Sequence, residues 1–167
     1  MIARSGSSMR SASKKSAARA LALLAALTVL VAGCGSSEKA ATIKPPKGDV
    51  QAVTYDYEVL MPSTLTPGVH TIGLTNKGLM EHELVMFKTA LPAWNLPVDA
   101  KGDVNEDSPL LTNVADSGNG PAADAYAVPP GHTESFKTDD LTPGHYVAIC
   151  NLPNHYKLGM AQNVTVK

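Results

Sequence analysis

The sequence predicts an all-β fold, a sandwich of antiparallel sheets. Short stretches between residues 49 and 167 alternate apolar and polar side chains with a period of two, which is typical of strands with one buried face. Pro-Gly pairs, which indicate turns, precede such stretches at 67–68, 130–131 and 143–144. No apolar stripe at helical spacing runs through this region. Short strands separated by turns at these intervals are typical of a β-sandwich.

The first 33 residues resemble a bacterial export signal. They contain five basic residues and no acidic one, and their apolar run from Ala20 to Ala32 is too short to anchor the chain across a bilayer. The run leads into Val31-Ala32-Gly33-Cys34, which resembles the lipobox of bacterial lipoproteins. This resemblance implies cleavage before Cys34 and a lipid on its thiol, and hence attachment to the outer face of the cytoplasmic membrane. An ordinary signal peptide that leaves Cys34 as a free thiol is the alternative.

Removal of this signal leaves an acidic chain. The full sequence has 14 Lys and Arg against 15 Asp and Glu. Five of the basic residues and none of the acidic ones precede Cys34, so nine remain against 15 and the net charge becomes −6. No arginine follows Arg19. Because nucleic-acid binding relies on clustered Arg and Lys, this composition argues against nucleic acid as a partner.

The exported chain divides into a tether and one domain. Residues 34–48 are polar and rich in Gly, Ser and Pro, as flexible linkers are. Residues 49–167 suffice for one domain and not for two, and we expect a monomer. The alternation predicts half-buried strands, of which the clearest place Val53, Tyr55, Tyr57 and Val59 on one face, Ile72 with Leu74 on another, and Val164 with Val166 on a third.

The segment from Lys88 to Tyr126 interrupts the strand pattern. It contains four prolines and six acidic residues, and its apolar residues come in small groups that suit a short helix or a cap on one end of the barrel. We therefore expect a long insertion, and loops of this length are commonly functional or partly mobile. Its acidic residues do not follow the spacing of an EF-hand, which favours a solvated acidic surface over a calcium site.

Four side chains have the chemistry of a copper site: His82, Cys150, His155 and Met160. One thiolate and two imidazoles supply a trigonal set, and a thioether can serve as a weak axial ligand, as in electron-transfer blue-copper centres. Strand parity predicts that His82, Cys150 and Met160 face the core at strand ends, while His155 lies in the loop between the last two strands. With Cys34 lipidated, Cys150 has no disulfide partner, which metal ligation would explain; an inert core cysteine is the alternative.

These residues and their surroundings resemble the cupredoxins, a family of small blue-copper proteins, over residues 49–167. Asn76-Lys77-Gly78 before His82 resembles the segment that carries the first histidine ligand, and Pro143-Gly144-His145-Tyr146 leading to Cys150 resembles the family's ligand loop. The resemblance implies a Greek-key sandwich or barrel with one type 1 copper that cycles between Cu(I) and Cu(II).

One departure from the family pattern concerns Glu83. Many cupredoxins have Asn or Ser directly after the first histidine, where its side chain ties the two ligand loops together. Glu83 either accepts a hydrogen bond from a backbone N–H group or points to solvent, since it lies on the opposite strand face from His82.

Other side chains in the domain could compete for these roles. Met80 and Met86 are alternatives to Met160 as the axial ligand, but parity puts Met86 deeper than His82, and Met80 lies outside the strand. The remaining histidines lie near turns at strand starts, and we expect them to be structural or surface residues rather than a second metal site; they are His70, His132 and His145.

The ligand set favours a carrier over an enzyme. A Cys/His/His/Met centre has no open equatorial position and reorganises little between oxidation states. The chain has one predicted domain and no His-x-His pair, which argues against a multicopper oxidase or a nitrite reductase. We expect a protein that carries single electrons between exported or membrane-bound redox partners. A protein for copper storage, resistance or delivery to an oxidase would use the same ligands, and a metal-free interaction module is a third possibility.

Overall fold

The computed structural model describes residues 44–119 and 127–167, all of which belong to one compact unit. The predicted export signal, Cys34 and residues 34–43 of the predicted tether lie outside the described residues, as do residues 120–126 of the predicted insertion. Within the described ranges there is no helix long and apolar enough to span a membrane.

Nine strands in the described residues form two sheets, which confirms the predicted all-β sandwich. The first sheet has the order β2-β1-β4-β7, with β1 Val50–Tyr55, β2 Glu58–Leu60, β4 Thr71–Asn76 and β7 Thr133–Lys137. The second has the order β3-β9-β8-β5-β6, with β3 Thr64–Leu65, β5 Val85–Lys88, β6 Thr112–Asp116, β8 Gly144–Ile149 and β9 Ala161–Val166.

Both sheets are mixed, whereas the sequence predicted antiparallel sheets. The chain leaves the first sheet after β2, forms β3 at the edge of the second sheet, and returns as β4 beside β1. This crossing makes β4 parallel to β1, and β3 is likewise parallel to β9. The remaining strand pairs among the described residues are antiparallel.

The main core lies between the two sheets and contains the predicted inward-facing residues. Ile72 and Leu74 of β4 are fully buried, and Val164 and Val166 of β9 face the same core. Burial of each such aliphatic side chain contributes roughly 1.5–3 kcal/mol to folding. The side chains that alternation assigns to the core in β4 and β9 are therefore correctly identified.

The stretch 53–59 is a hairpin and not the single strand that alternation suggested. Residues 56 and 57 form the turn between β1 and β2, with Tyr55 paired to Glu58 and Tyr57 at a φ of 69°. The predicted common face is wrong, because Thr54 is buried whereas Tyr55 and Tyr57 are exposed. The apolar alternation runs on through the turn, which also lacks the glycine typical of two-residue hairpin turns.

The insertion covers the outer face of the second sheet instead of capping one end of the barrel. Four of its apolar residues pack against outward-facing residues of β5 and β8 in a second hydrophobic cluster; these four are Ala93, Leu96, Val104 and Leu111. The outer face of β5 and β8 carries Phe87 and Val147, so burial against the insertion removes apolar surface from water. The insertion also supplies β6, and its helical content in the described part is one short 3-10 helix, Ser117–Asn119.

Acidic residues of the insertion accept hydrogen bonds from the protein itself. Asp99 accepts from three backbone N–H groups in the turn that follows it, at 2.8–3.1 Å. Asp103 accepts from the backbone N–H of Asn154 at 2.8 Å, and Glu106 accepts from the side-chain amide of Asn151 at 2.7 Å. The expected solvated acidic surface is therefore in part a set of contacts that join the insertion to the loop 151–159.

Candidate metal centre

The side chains of His82, Cys150 and His155 converge at one end of the sandwich. Their possible ligand atoms all lie within 4.8 Å of one another, and no other such group of His, Cys, Asp and Glu occurs in the part of the chain that the structure describes. Cys150 Sγ lies 3.3 Å from His155 Nδ1 and 3.9 Å from His82 Nδ1, and the two Nδ1 atoms are 3.2 Å apart. Both imidazoles thus present the same nitrogen to the sulfur.

Strand ends position two of these residues as parity predicted. His82 forms an isolated bridge with Val128 just before β5, where His82 N donates to Val128 O at 3.1 Å. His82, Leu84 and Met86 are all completely buried on the core side. Cys150 directly follows β8, and its backbone N–H donates to Met160 O at 3.1 Å. The ends of β8 and β9 are therefore joined at the site.

The loop 151–159 brings His155 back toward Cys150. Asn154 has a φ of 70° and Gly159 a φ of 109°, so the chain turns sharply on both sides of His155. His155 O accepts from Met160 N at 3.2 Å, which closes the loop. Met160 is completely buried in the same core cluster as Cys150, whereas Met80 is only half-buried. Met160 as the axial ligand stays a prediction.

Asn76 fixes the loop that leads to His82. This asparagine is completely buried at the end of β4. Its Nδ2 donates to Met80 O and Val128 O, both at 2.7 Å, and its Oδ1 accepts from Gly78 N at 2.8 Å. The side chain thereby satisfies three backbone groups of the surrounding segments, which holds the first histidine loop in place.

Glu83 ties the two ligand-bearing segments together. Its carboxylate accepts from the backbone N–H of Asn151 at 2.9 Å, and its own backbone N–H donates to Cys150 Sγ at 3.5 Å. Of the two alternatives left open by the sequence, acceptance of a backbone N–H is the one observed. The Asn151 side chain continues this network, because it exchanges two hydrogen bonds with the backbone of Val104 in the insertion, at 2.6 and 3.0 Å.

Burial at the site favours the uncharged forms of the Cys150 and His155 side chains when no metal ion is bound. Burial raises the pKa of the Cys150 thiol to about 11, although backbone N–H groups of Glu83 and Leu152 partly oppose this. Burial and the neighbouring His82 lower the pKa of His155. Both groups are therefore uncharged near neutral pH, and a metal ion that binds here must displace the thiol proton.

The donor atoms fit one copper ion. With metal–nitrogen bonds of about 2.0 Å, two nitrogens of a trigonal plane lie about 3.5 Å apart, close to the spacing of the two Nδ1 atoms. Zinc also binds thiolate and imidazole, but a set of one thiolate and two imidazoles with a weak thioether is typical of blue copper. His82, Cys150 and His155 would hold the ion, and Met160, which lies in the same core cluster as Cys150, is the expected fourth donor. The positions of these residues agree with the resemblance drawn from the sequence.

The three other histidines have structural hydrogen bonds, as expected. His70 bonds Asp49 Oδ2 at 2.6 Å and Thr66 O at 2.8 Å. His145 bonds Thr89 O at 2.9 Å and Asn163 Oδ1 at 3.1 Å, which links the insertion to β9. His132 Nδ1 contacts Pro130 O, two residues earlier in the chain, at 2.9 Å.

Glu83 is expected to make the metal-free protein less stable as the pH rises. Burial and the nearby carboxylates of Asp116 and Glu106 raise its pKa to about 7, against an ordinary value of 4.5, although the bond from Asn151 N opposes this. The folded protein therefore binds more protons than the unfolded chain between these pH values, and stability falls across that window.

Glu83→Gln keeps an oxygen for Asn151 N but removes the charge. In urea unfolding we expect this variant to match the wild type at pH 4 and to exceed it by up to about 3 kcal/mol at pH 8. Glu58→Gln, on the exposed side of β2, is the matched control and should show no such pH-dependent gain. A stability difference for Glu83→Gln that is the same at both pH values would contradict the explanation.

Several solved structures are similar to this chain in fold, but their sequence identity to it is low. No protein-family model and no curated protein matches the sequence. Reduced auracyanin from the photosynthetic bacterium Roseiflexus castenholzii superposes with a TM-score of 0.48 at 19% identity, over 70% of this chain and 94% of that one. Auracyanin A, a blue copper protein from Chloroflexus aurantiacus, gives 0.44 at 19% identity, over 70% and 99% of the two chains.

Rusticyanin from Thiobacillus ferrooxidans gives a TM-score of 0.45 at 19% identity, over 70% of this chain and 76% of that one. A multicopper oxidase from Pediococcus acidilactici gives 0.41 at 12% identity, and this chain covers only 25% of its length. These TM-scores and identities are low, and the fold and the site of this chain follow from its own strand pairing and atom positions.

Proposed function

We propose that this chain is a type 1 copper protein of the cupredoxin kind, lipid-anchored through Cys34, that carries single electrons between exported or membrane-bound redox partners. The observation that carries the proposal is the convergence of His82, Cys150 and His155 in a buried site beside Met160. Bound copper supplies a one-electron couple at these ligands. The anchor places the protein on the outer face of the bacterial cytoplasmic membrane.

The surroundings of the site suit repeated electron transfer. Cys150 and His82 are completely buried and His155 is 9% exposed, so the side chains themselves exclude water. The hydrogen bonds of Asn76 and Glu83 hold both ligand-bearing segments in one arrangement. A site held this firmly changes little between oxidation states, which keeps electron transfer fast.

A redox cycle with a competing Cu(I) chelator distinguishes a carrier from a copper-delivery protein. The copper-loaded protein is reduced with ascorbate, exposed to the chelator, and reoxidised. We expect the full charge-transfer absorbance to return, because a carrier retains the ion in both states. Quantitative transfer of Cu(I) to the chelator on reduction would instead favour storage or delivery.

The redox partner, in this proposal, docks over the loops that carry the two histidines. Leu79 is 87% exposed and Leu158 is 54% exposed, and Pro153 is also exposed. Exposed apolar groups clustered near a site are typical of interaction surfaces. Two other side chains of the same loop are engaged within the protein instead: the hydroxyl of Tyr156 accepts from Leu96 N at 3.0 Å, and Leu152 packs on the main core.

Two acidic residues of the insertion contact the loop that carries His155. Asp103 and Glu106 are hydrogen-bonded to Asn154 and Asn151 of the ligand loop itself. Carboxylates at the edge of a docking surface favour a basic partner and raise the association rate. In this proposal the association rate falls as the salt concentration rises.

Leu79→Asp and Leu158→Asp are expected to slow electron transfer with membranes from the source organism by about tenfold each, the effect of losing roughly 1.4 kcal/mol of contact energy. The copper absorption spectrum should stay unchanged, because neither side chain is buried. Val69→Asp is the matched control, because Val69 is 59% exposed but lies far from this surface along the strand. It stands just before the start of β4, whereas Asn76 lies at the end of that strand. Wild-type rates in both loop variants would rule out this surface as the docking site.

Cys34→Ala is expected to release the protein from membranes or to block its maturation. A diacylated and N-acylated cysteine supplies more than the two lipid signals that stable attachment requires. The measurement is the distribution of the full-length protein between membrane and soluble fractions, with Cys150→Ala as a control that should remain with the membrane. Wild-type protein found entirely in the soluble fraction would refute the anchor.

A further inference from the structure

Asp56 contacts the far side of the first histidine. In the β1–β2 turn, its Oδ1 lies 3.1 Å from His82 Nε2, the ring nitrogen that faces away from Cys150. The same oxygen accepts from Leu79 N at 2.9 Å and from Met80 N at 3.2 Å. The His82 side chain is completely buried, and that of Asp56 is 26% exposed.

Gly78 is the residue that lets this contact form. A Cβ atom at position 78 would lie 2.4 Å from Asp56 Oδ1 and 2.7 Å from His82 Nε2, closer than real Cβ contacts. The backbone of Gly78 is fixed against the pair, because its N–H donates to Asn76 Oδ1. Any larger residue would have to separate the carboxylate from the imidazole, so the loop is built around this hydrogen bond.

We propose that Asp56 is a positioning residue that holds His82 as the Nε2–H tautomer and stabilises Cu(II) over Cu(I). A carboxylate that accepts the Nε2 proton leaves the Nδ1 lone pair free for the metal and makes the imidazole a stronger donor. A negative charge so close to a ligand also favours the ion of higher charge. Asp56 thereby lowers the reduction potential. This inference rests on the proposed copper function.

The decisive variant is Asp56→Asn in the copper-loaded protein. Asparagine retains an oxygen acceptor for the three N–H groups and removes only the charge. We expect the ratio of Cu(I) to Cu(II) affinity to rise about tenfold, the low end of the effect of mutating a residue that contacts a metal ligand. For a one-electron couple this is a potential about 59 mV higher. The charge-transfer band should persist.

Asp49→Asn is the matched control. Asp49 also bonds a histidine, at 2.6 Å to His70 Nδ1, and a backbone N–H, at 2.6 Å to Thr71 N, but His70 is not part of the metal site. Its variant should leave the potential unchanged. Equal reduction potentials for Asp56→Asn and the wild type would overturn the proposal, and so would equal shifts in the Asp56→Asn and Asp49→Asn variants. A blue band in these proteins would still support the copper function.

The metal-free protein supplies a readout that does not depend on copper. Nitrogen-15 NMR of the His82 ring should show the proton on Nε2 in the wild type, and Gly78→Ala should mix the two tautomers by displacing Asp56. A wild-type His82 with its proton on Nδ1 would refute the positioning role even if the protein were found to bind no copper. Absence of a blue band in the wild type would refute the copper function separately.

Discussion

Cys150→Ala is expected to abolish the intense thiolate-to-copper charge-transfer band of the Cu(II)-loaded protein. Cys150 supplies the only sulfur anion that the described residues can offer, since it is the one free cysteine among them. Without it, the two imidazoles remain, and His-bound Cu(II) has no such band. Loss of a direct ligand should also lower copper affinity by more than the roughly 10–100-fold that an outer hydrogen-bond partner contributes.

The matched control for this experiment is Cys34→Ala, which removes the other cysteine of the chain. It should leave the band unchanged, because Cys34 is assigned to the lipid anchor. Absorption titration with Cu(II) measures both variants. A band that survives in Cys150→Ala would assign the thiolate to Cys34 and contradict the site built from Cys150.

Met160→Leu is expected to keep the blue colour and to raise the reduction potential. A weak axial thioether would stabilise Cu(II) more than Cu(I), so its removal should destabilise the oxidised state more than the reduced state. Leucine fills a similar volume, and such swaps in a core usually cost less than about 1.5 kcal/mol of stability. By contrast, His82→Ala and His155→Ala should disrupt the centre itself.

Met86→Leu makes the same change to another buried methionine, since Met86 is also completely buried but lies on β5. Its potential should equal that of the wild type. Voltammetry on the three proteins measures the effect. An unchanged potential in Met160→Leu would point to Met80 or a backbone oxygen as the axial group, and Met80→Leu would then decide between them.

The parity of strands made the positions of the candidate ligands predictable. His82 shares a buried face with Leu84 and Met86, and Cys150 follows a strand whose inward residues are Tyr146 and Ala148. Period-two alternation shows which face of a sheet a residue occupies, so it identifies core-facing candidate ligands without any knowledge of the tertiary structure.

The hydrogen bonds that support the ligands could not be predicted in the same way. Asp56 and His82 are 26 residues apart, and their contact depends on a hairpin turn that the alternation concealed. Glu83 was recognised as unusual, but its partner Asn151 is 68 residues away. Sequence spacing indicates local geometry, whereas such contacts depend on how the two sheets and the insertion pack.

Absorption spectroscopy of the purified protein during titration with Cu(II) tests the central claim most directly. A thiolate, two imidazoles and a weak axial donor predict an intense blue band that saturates at one copper per chain and disappears reversibly on reduction. Stoichiometric copper binding without this band would contradict the type 1 site, and with it the proposed role in electron transfer.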